Sequence, residues 1–121
     1  MKHAPAFLKL VEDVMPRIRE VNTDEVLAML NNGERFVLVD VREDREWQAA
    51  HISGAVHMAR GIIERDIENA IPDKSAKLVL YCGGGYRSAL SADSLQKMGY
   101  TNVFSMAGGW REWCEKGYRK S

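Results

Sequence analysis

Lys77-Leu78-Val79-Leu80-Tyr81-Cys82-Gly83-Gly84-Gly85-Tyr86-Arg87-Ser88 reads as strand, tight loop and helix. The apolar run Leu78 to Tyr81 has the length and bulk of a strand buried on both faces, as in the middle of a parallel sheet. Three glycines interrupt it. Beyond them Ala89, Leu90, Ala92, Leu95 and Met98 recur at helical spacing. Cys82 therefore falls at the C-terminal end of the strand, where open α/β sheets hold their ligands.

That position gives the cysteine a chemistry. Glycine reaches φ > 0, so neighbouring backbone N–H groups can turn into one hollow. A helix beginning near Arg87 or Ser88 adds unpaired N–H groups and the positive end of its dipole. Such a cradle binds anions and also stabilises a thiolate. Thiols at helix N-termini or beside arginine have pKa values lowered to roughly 3.5–7.5, so the expectation is a nucleophilic Cys82. The plain alternative is a packing cysteine followed by an ordinary turn. Against it, a turn needs one or two glycines, and a packing cysteine needs no arginine five residues on.

Composition bounds the rest. A chain of 121 residues makes one domain with a real core, and 45% apolar with 28% charged residues is ordinary for a soluble protein. The 17 basic and 17 acidic residues cancel, which argues against a nucleic-acid partner. No apolar stretch approaches the roughly 20 residues of a membrane span. The N-terminus is charged too early for a secretory signal, so the expectation is a cytoplasmic protein with no membrane partner. Cys82 and Cys114 make neither a disulfide framework nor a metal cluster, and His3, His51 and His57 lack ligand spacing. No metal and no cofactor is expected.

In chain order, Phe7, Val11, Val14 and Ile18 share one face of a helix over 6–15 that Pro16 ends or kinks. This helix is expected to dock on the domain, or on a second copy of it in a homodimer. Ile18 to Val21 suits a short edge strand. Asn22 and Glu25 form a capping box, flanked by Val21 and Val26 as a staple, and Asn31-Asn32-Gly33 stops that helix. Phe36 to Arg42 is the strongest strand, carrying Asp40 and Arg42 to the same edge as Cys82. A short helix over 44–50, a turn into a strand near Val56, and a helix marked by Ile62, Ile63, Ile67 and Ile71 follow. The helix from Ser88 runs to Gly99. A last strand covers 102–106, and Gly108-Gly109 turns it into a helix with Trp110 and Trp113. Strands alternating with helices imply an α/β fold with a mainly parallel sheet and helices on both faces.

These residues carry a resemblance. Asp40-Val41-Arg42-Glu43, Glu46-Trp47 and His51-Ile52-Ser53-Gly54-Ala55 resemble the first signature of the rhodanese family of sulfurtransferases. Tyr81 to Ser88 resembles its active-site loop. Gly99-Tyr100, Asn102-Val103, Gly108-Gly109 and Trp113 resemble its closing signature. The resemblance covers roughly Val21 to Gly117 and implies a five-stranded parallel sheet flanked by helices; Pro16 separates a helical extension, 1–17, from a domain over 18–121. The resemblance also implies a persulfide on Cys82, with Gly83, Gly84, Gly85, Tyr86, Arg87 and Ser88 binding an anionic sulfur donor such as thiosulfate, and a thiol or cyanide as acceptor. Ala50 departs from the family, which often has glycine before His51.

Asp40 is expected to orient the loop or pair with a basic residue, and Arg42 to pair with Glu46, four residues on. Arg45 and Arg60 are candidates for the pocket mouth, although solvated arginine is commoner. His51 and Cys114 read as packing residues. Two other classes stay open. One is a cysteine-loop phosphatase or arsenate reductase on a related fold; the phosphatase loop is one residue longer than the four residues between Cys82 and Arg87. The other is a non-catalytic binding module, whose members usually lose the cysteine that this chain keeps.

Overall fold

A computed structural model of the chain describes residues 3–121. Helix α1 (Pro5–Val14) leads through a 3-10 turn (Met15–Arg17) into strand β1 (Arg19–Val21) and helix α2 (Thr23–Asn31). Next come β2 (Val37–Asp40), α3 (Asp44–Ala49), β3 (Val56–His57) and α4 (Ile63–Ala70). The chain closes with β4 (Leu78–Tyr81), α5 (Tyr86–Lys97), β5 (Val103–Met106) and α6 (Gly109–Glu115). The five strands form one parallel sheet in the order β1-β5-β4-β2-β3.

The short apolar run at 78–81 is the central strand, with all four residues buried. Alternation along it feeds two cores. Leu78, Leu80 and Cys82 face Ile63 and Ile67 of α4 and Ala92 and Leu95 of α5. Val79 and Tyr81 face Val26 and Met29 of α2 and Trp113 of α6. Helices thus cover both faces, as expected for a parallel sheet.

Local signals hold at the α2 entry. Asn22 accepts from the Glu25 N–H at 2.8 Å, and Glu25 accepts from the Asn22 N–H at 2.9 Å. The strand expected over 36–42 is shorter, because the Asp40 carboxylate accepts the Arg42 N–H at 2.9 Å and turns the chain there. The apolar stripe of α1 is spent within the chain: Val11 and Val14 pack on Ala89 and Leu90 of α5. Arg17 donates to Asp93 of α5 at 3.0 and 3.1 Å. Leu10, 57% exposed, points away from this contact.

Candidate active site

The loop between β4 and α5 starts at the centre of the sheet's C-terminal edge, and helix α5 follows it at once. Cys82 is buried there. Its Sγ accepts the Gly85 N–H at 3.1 Å and the Ser88 N–H at 3.4 Å, and lies 3.6 Å from Ser88 Oγ. Ser88 Oγ is held in turn by Ser105 Oγ at 2.8 Å. The anticipated cradle is therefore present at sulfur, with Gly85 and Ser88 as its donors. Of the three glycines only Gly85 takes a left-handed conformation, at φ 100°. Gly85 is the N-cap of α5, which begins at Tyr86, two residues earlier than Ser88.

The carbonyl side of the loop is fixed from α6. Trp110 donates its backbone N–H to the Cys82 carbonyl at 2.7 Å, and Arg111 donates to the Gly83 carbonyl at 3.0 Å. These two bonds anchor the start of the loop to α6. Gly109, at φ 59°, makes this approach possible: a Cβ there would lie 2.5 Å from the Cys82 carbonyl oxygen.

A cavity of about 670 Å³ opens above the thiol. Cys82, Gly83 and Gly84 form its floor, Arg45, Arg60, Arg87 and Arg111 one part of its wall, and His3, Phe7 and Tyr86 another. Both mouth candidates, Arg45 and Arg60, do reach it. Arg111, not among the sequence candidates, lies in the first turn of α6, which follows β5, the strand beside β4. Glu46 supplies the carboxylate in this lining and binds Arg87 through two contacts, at 2.9 and 3.2 Å. The Arg87 guanidinium holds the Glu46 carboxyl below the usual carboxylate range, against the opposing effect of partial burial.

The expected pairing of Arg42 with Glu46 is corrected by this arrangement. Arg42 leaves the end of a strand, outside α3, so helical i,i+4 spacing does not apply to it. Its guanidinium grips Asp40 instead, at 2.8 to 3.1 Å, with both side chains buried. It also donates to the Ala50 carbonyl at 2.7 Å and stacks on Trp110, 4.5 Å from the ring centre. Asp40 and Arg42 thus lie outside the cavity lining, and Arg42 touches α6 through Trp110. Burial and the neighbouring Asp40 push the Tyr81 phenol well above its ordinary range; its oxygen accepts the Ile52 N–H at 3.1 Å.

His51 packs as expected, stacked on Trp47 with ring centres 3.4 Å apart and Nδ1 2.9 Å from the Trp47 carbonyl. Cys114 is half-buried and unpaired. Ala50 has φ −173°, extended backbone that any residue adopts, so the missing glycine costs nothing there.

The family model for the rhodanese-like domain matches residues 22–116. The chain belongs to the rhodanese-like domain family. Thiosulfate sulfurtransferase GlpE of Pseudomonas entomophila is 32% identical over 82% of this chain and 87% of its own length. Against some other curated relatives, the chain spans about half their length or less. Among solved structures, the human single-domain sulfurtransferase TSTD1 is 28% identical, with a TM-score of 0.71 over 80% of this chain and 96% of that one. A Rhodopseudomonas palustris protein of unknown function, RPA3614, described as a possible tyrosine phosphatase, is also 28% identical. It superposes with a TM-score of 0.87 over 100% of this chain and 98% of its own. The rhodanese-like match begins after α1, whereas the RPA3614 superposition includes it. No helix among the described residues is long and apolar enough to cross a membrane.

Proposed function

We propose that this rhodanese-like protein is a sulfurtransferase that carries sulfane sulfur as a persulfide on Cys82. The observation that supports this best is the sulfur's setting: a buried Sγ receiving two backbone N–H groups at the floor of an arginine-walled cavity. GlpE, named for this activity, supports it independently.

In the first half-reaction an anionic donor such as thiosulfate enters past Arg45, Arg60 and Arg111. The Cys82 thiolate attacks the outer sulfur. The donor's S–S bond breaks, its electron pair leaves with sulfite, and a new S–S bond leaves a persulfide anion on Cys82. Loop N–H groups offset that charge as an oxyanion hole would. A thiolate or cyanide then attacks the terminal sulfur and restores the Cys82 thiolate. This is covalent catalysis in two steps, with ping-pong kinetics. Asp40 and Arg42 support the loop through Trp110. A reducing, cytoplasmic compartment suits such a thiol.

The description of RPA3614 favours a second reading, phosphate-ester hydrolysis. The four-residue spacing from Cys82 to Arg87 counts against it, as does the turning of Arg87 onto Glu46. Sulfite release from thiosulfate plus cyanide, run beside hydrolysis of p-nitrophenyl phosphate, separates the two. Cyanide-dependent sulfite release with parallel double-reciprocal lines is expected. Phosphate release without sulfite would overturn the proposal.

A further inference from the structure

The cavity over Cys82 has a wall that the rhodanese-like domain does not supply. His3 and Phe7 come from the segment before residue 22, where the family match begins. They meet Tyr86 of the loop in an aromatic cluster. The His3 and Tyr86 rings are edge-on at 4.8 Å, Phe7 and Tyr86 are edge-on at 6.2 Å, and His3 and Phe7 are tilted at 5.2 Å. The wall is held to the helix that begins at the loop. Val11 and Val14 bury against Ala89 and Leu90, Arg17 binds Asp93 twice, and Gln96 Nε2 donates to the Arg17 carbonyl at 2.8 Å.

The cavity thus has two kinds of surface around one nucleophile. Its arginines attract an anion, and its ring edges and faces offer apolar contact with defined geometry. A small inorganic donor uses only the first. At about 670 Å³ the cavity is in the range that encloses an organic molecule.

We propose that helix α1 makes the site selective for organic sulfane-sulfur donors, anions with an aromatic or other flat apolar body beside the reacting sulfur, and that Phe7 is the main specificity residue. This rests on the sulfur-transfer reading above. With an aryl thiosulfonate, the Cys82 thiolate forms an S–S bond to the terminal sulfur. The donor's own S–S bond breaks and its electron pair leaves with an aryl sulfinate. Two singly charged anions go in and two come out, with no external oxidant or reductant.

The test compares benzenethiosulfonate with methanethiosulfonate, which share the reacting group and differ in the body. In the full-length protein the specificity constant for sulfur loading is expected to favour the phenyl donor by roughly 10- to 100-fold, the range for burying one ring. Phe7→Leu, which keeps an apolar side chain for docking α1, is expected to bring that ratio toward unity. A merely structural defect lowers both donors alike and leaves the ratio. A second readout needs no sulfur transfer: benzenesulfonate should protect Cys82 from iodoacetamide at concentrations about 10-fold or more below methanesulfonate, and Phe7→Leu should erase the difference. Equal loading from both donors, or a preference unchanged in Phe7→Leu, would overturn this inference alone. Failure of both donors to load Cys82 would overturn the sulfur-transfer reading and this one with it.

Discussion

Trp110 donates its backbone N–H to the carbonyl of Cys82, 2.7 Å away. The bond joins the first turn of α6 to the residue proposed to carry sulfur, and it can form because Gly109 has no Cβ. Gly109→Ala places a methyl 2.5 Å from that same carbonyl at φ 59°. It should lower stability by at least about 3 kcal/mol and reduce sulfur loading beyond what the lost folded fraction explains. Gly117→Ala is the control. Its φ is 70° with nothing within 4 Å of the added carbon, so it should cost only about 1–2 kcal/mol for the left-handed backbone. Urea denaturation of both variants, read beside their activity, separates contact from backbone strain.

Behind that contact, Asp40 and Arg42 form a pair with side chains 0% and 3% exposed. Removing one partner of a buried pair strands the other charge and typically costs about 3–5 kcal/mol, whereas replacing both with apolar groups can be neutral. Asp40→Asn should therefore destabilise strongly. The double variant Asp40→Leu with Arg42→Met should recover much of the loss. A thermal shift series on the single and double variants checks this, and equal destabilisation of the two would contradict it.

The N-terminal helix should respond to acid. Arg17, then Lys97, hold the Asp93 carboxyl below the ordinary carboxylate range in spite of burial. A carboxyl with a depressed folded pKa stabilises fully above its unfolded value of about 3.9 and loses that contribution as pH falls through the folded value. Docking of α1 should thus be unaffected from pH 7 to 5 and weaken below about pH 4. Asp93→Asn should weaken it near neutral pH and remove most of this acid dependence. Hydrogen exchange of α1 amides at pH 7 and under mild acid reads this directly. Protection in α1 that ignores both acid and Asp93→Asn would contradict the role.

Arg87 is shared between Glu46 and the cavity. If its guanidinium helps to hold the donor, Arg87→Ala should raise the Michaelis constant for thiosulfate and lower the specificity constant roughly 10- to 150-fold, the cost of about 1.5–3 kcal/mol for a lost charged hydrogen bond. Alkylation of Cys82 by a neutral reagent should change little, because Gly85 and Ser88 donate to the sulfur from the backbone. Lysine at this position should restore only part, since it lacks the planar fork. A slowed alkylation with an unchanged Michaelis constant would make Arg87 a support of the thiolate instead.

Much of this was legible in the chain. The run Leu78 to Ser88 announced a buried strand, an N–H-rich loop and a helix, and Asn22 with Glu25 marked the α2 cap. Those signals are local: a periodicity, a capping pair, a glycine cluster. What escaped the sequence was long-range. Glu46 reaches Arg87 across 41 positions and Trp110 reaches Cys82 across 28, distances at which no spacing rule operates. The i,i+4 expectation for Arg42 fails because that residue stands past the end of β2 and before α3. The aromatic wall from His3 and Phe7 had no local sign beyond the apolar stripe of α1, whose place over the loop is decided by packing on α5.

The central claim is that Cys82 carries transferable sulfur. Mass spectrometry of the intact protein after thiosulfate treatment and desalting tests it most directly, with peptide mapping to locate the gain. A gain of one sulfur atom on the Cys82 peptide is expected, removed by cyanide with release of thiocyanate, present in Cys114→Ser and absent in folded Cys82→Ser. No gain on wild-type protein, or a gain that maps to Cys114 and survives Cys82→Ser, would contradict the account.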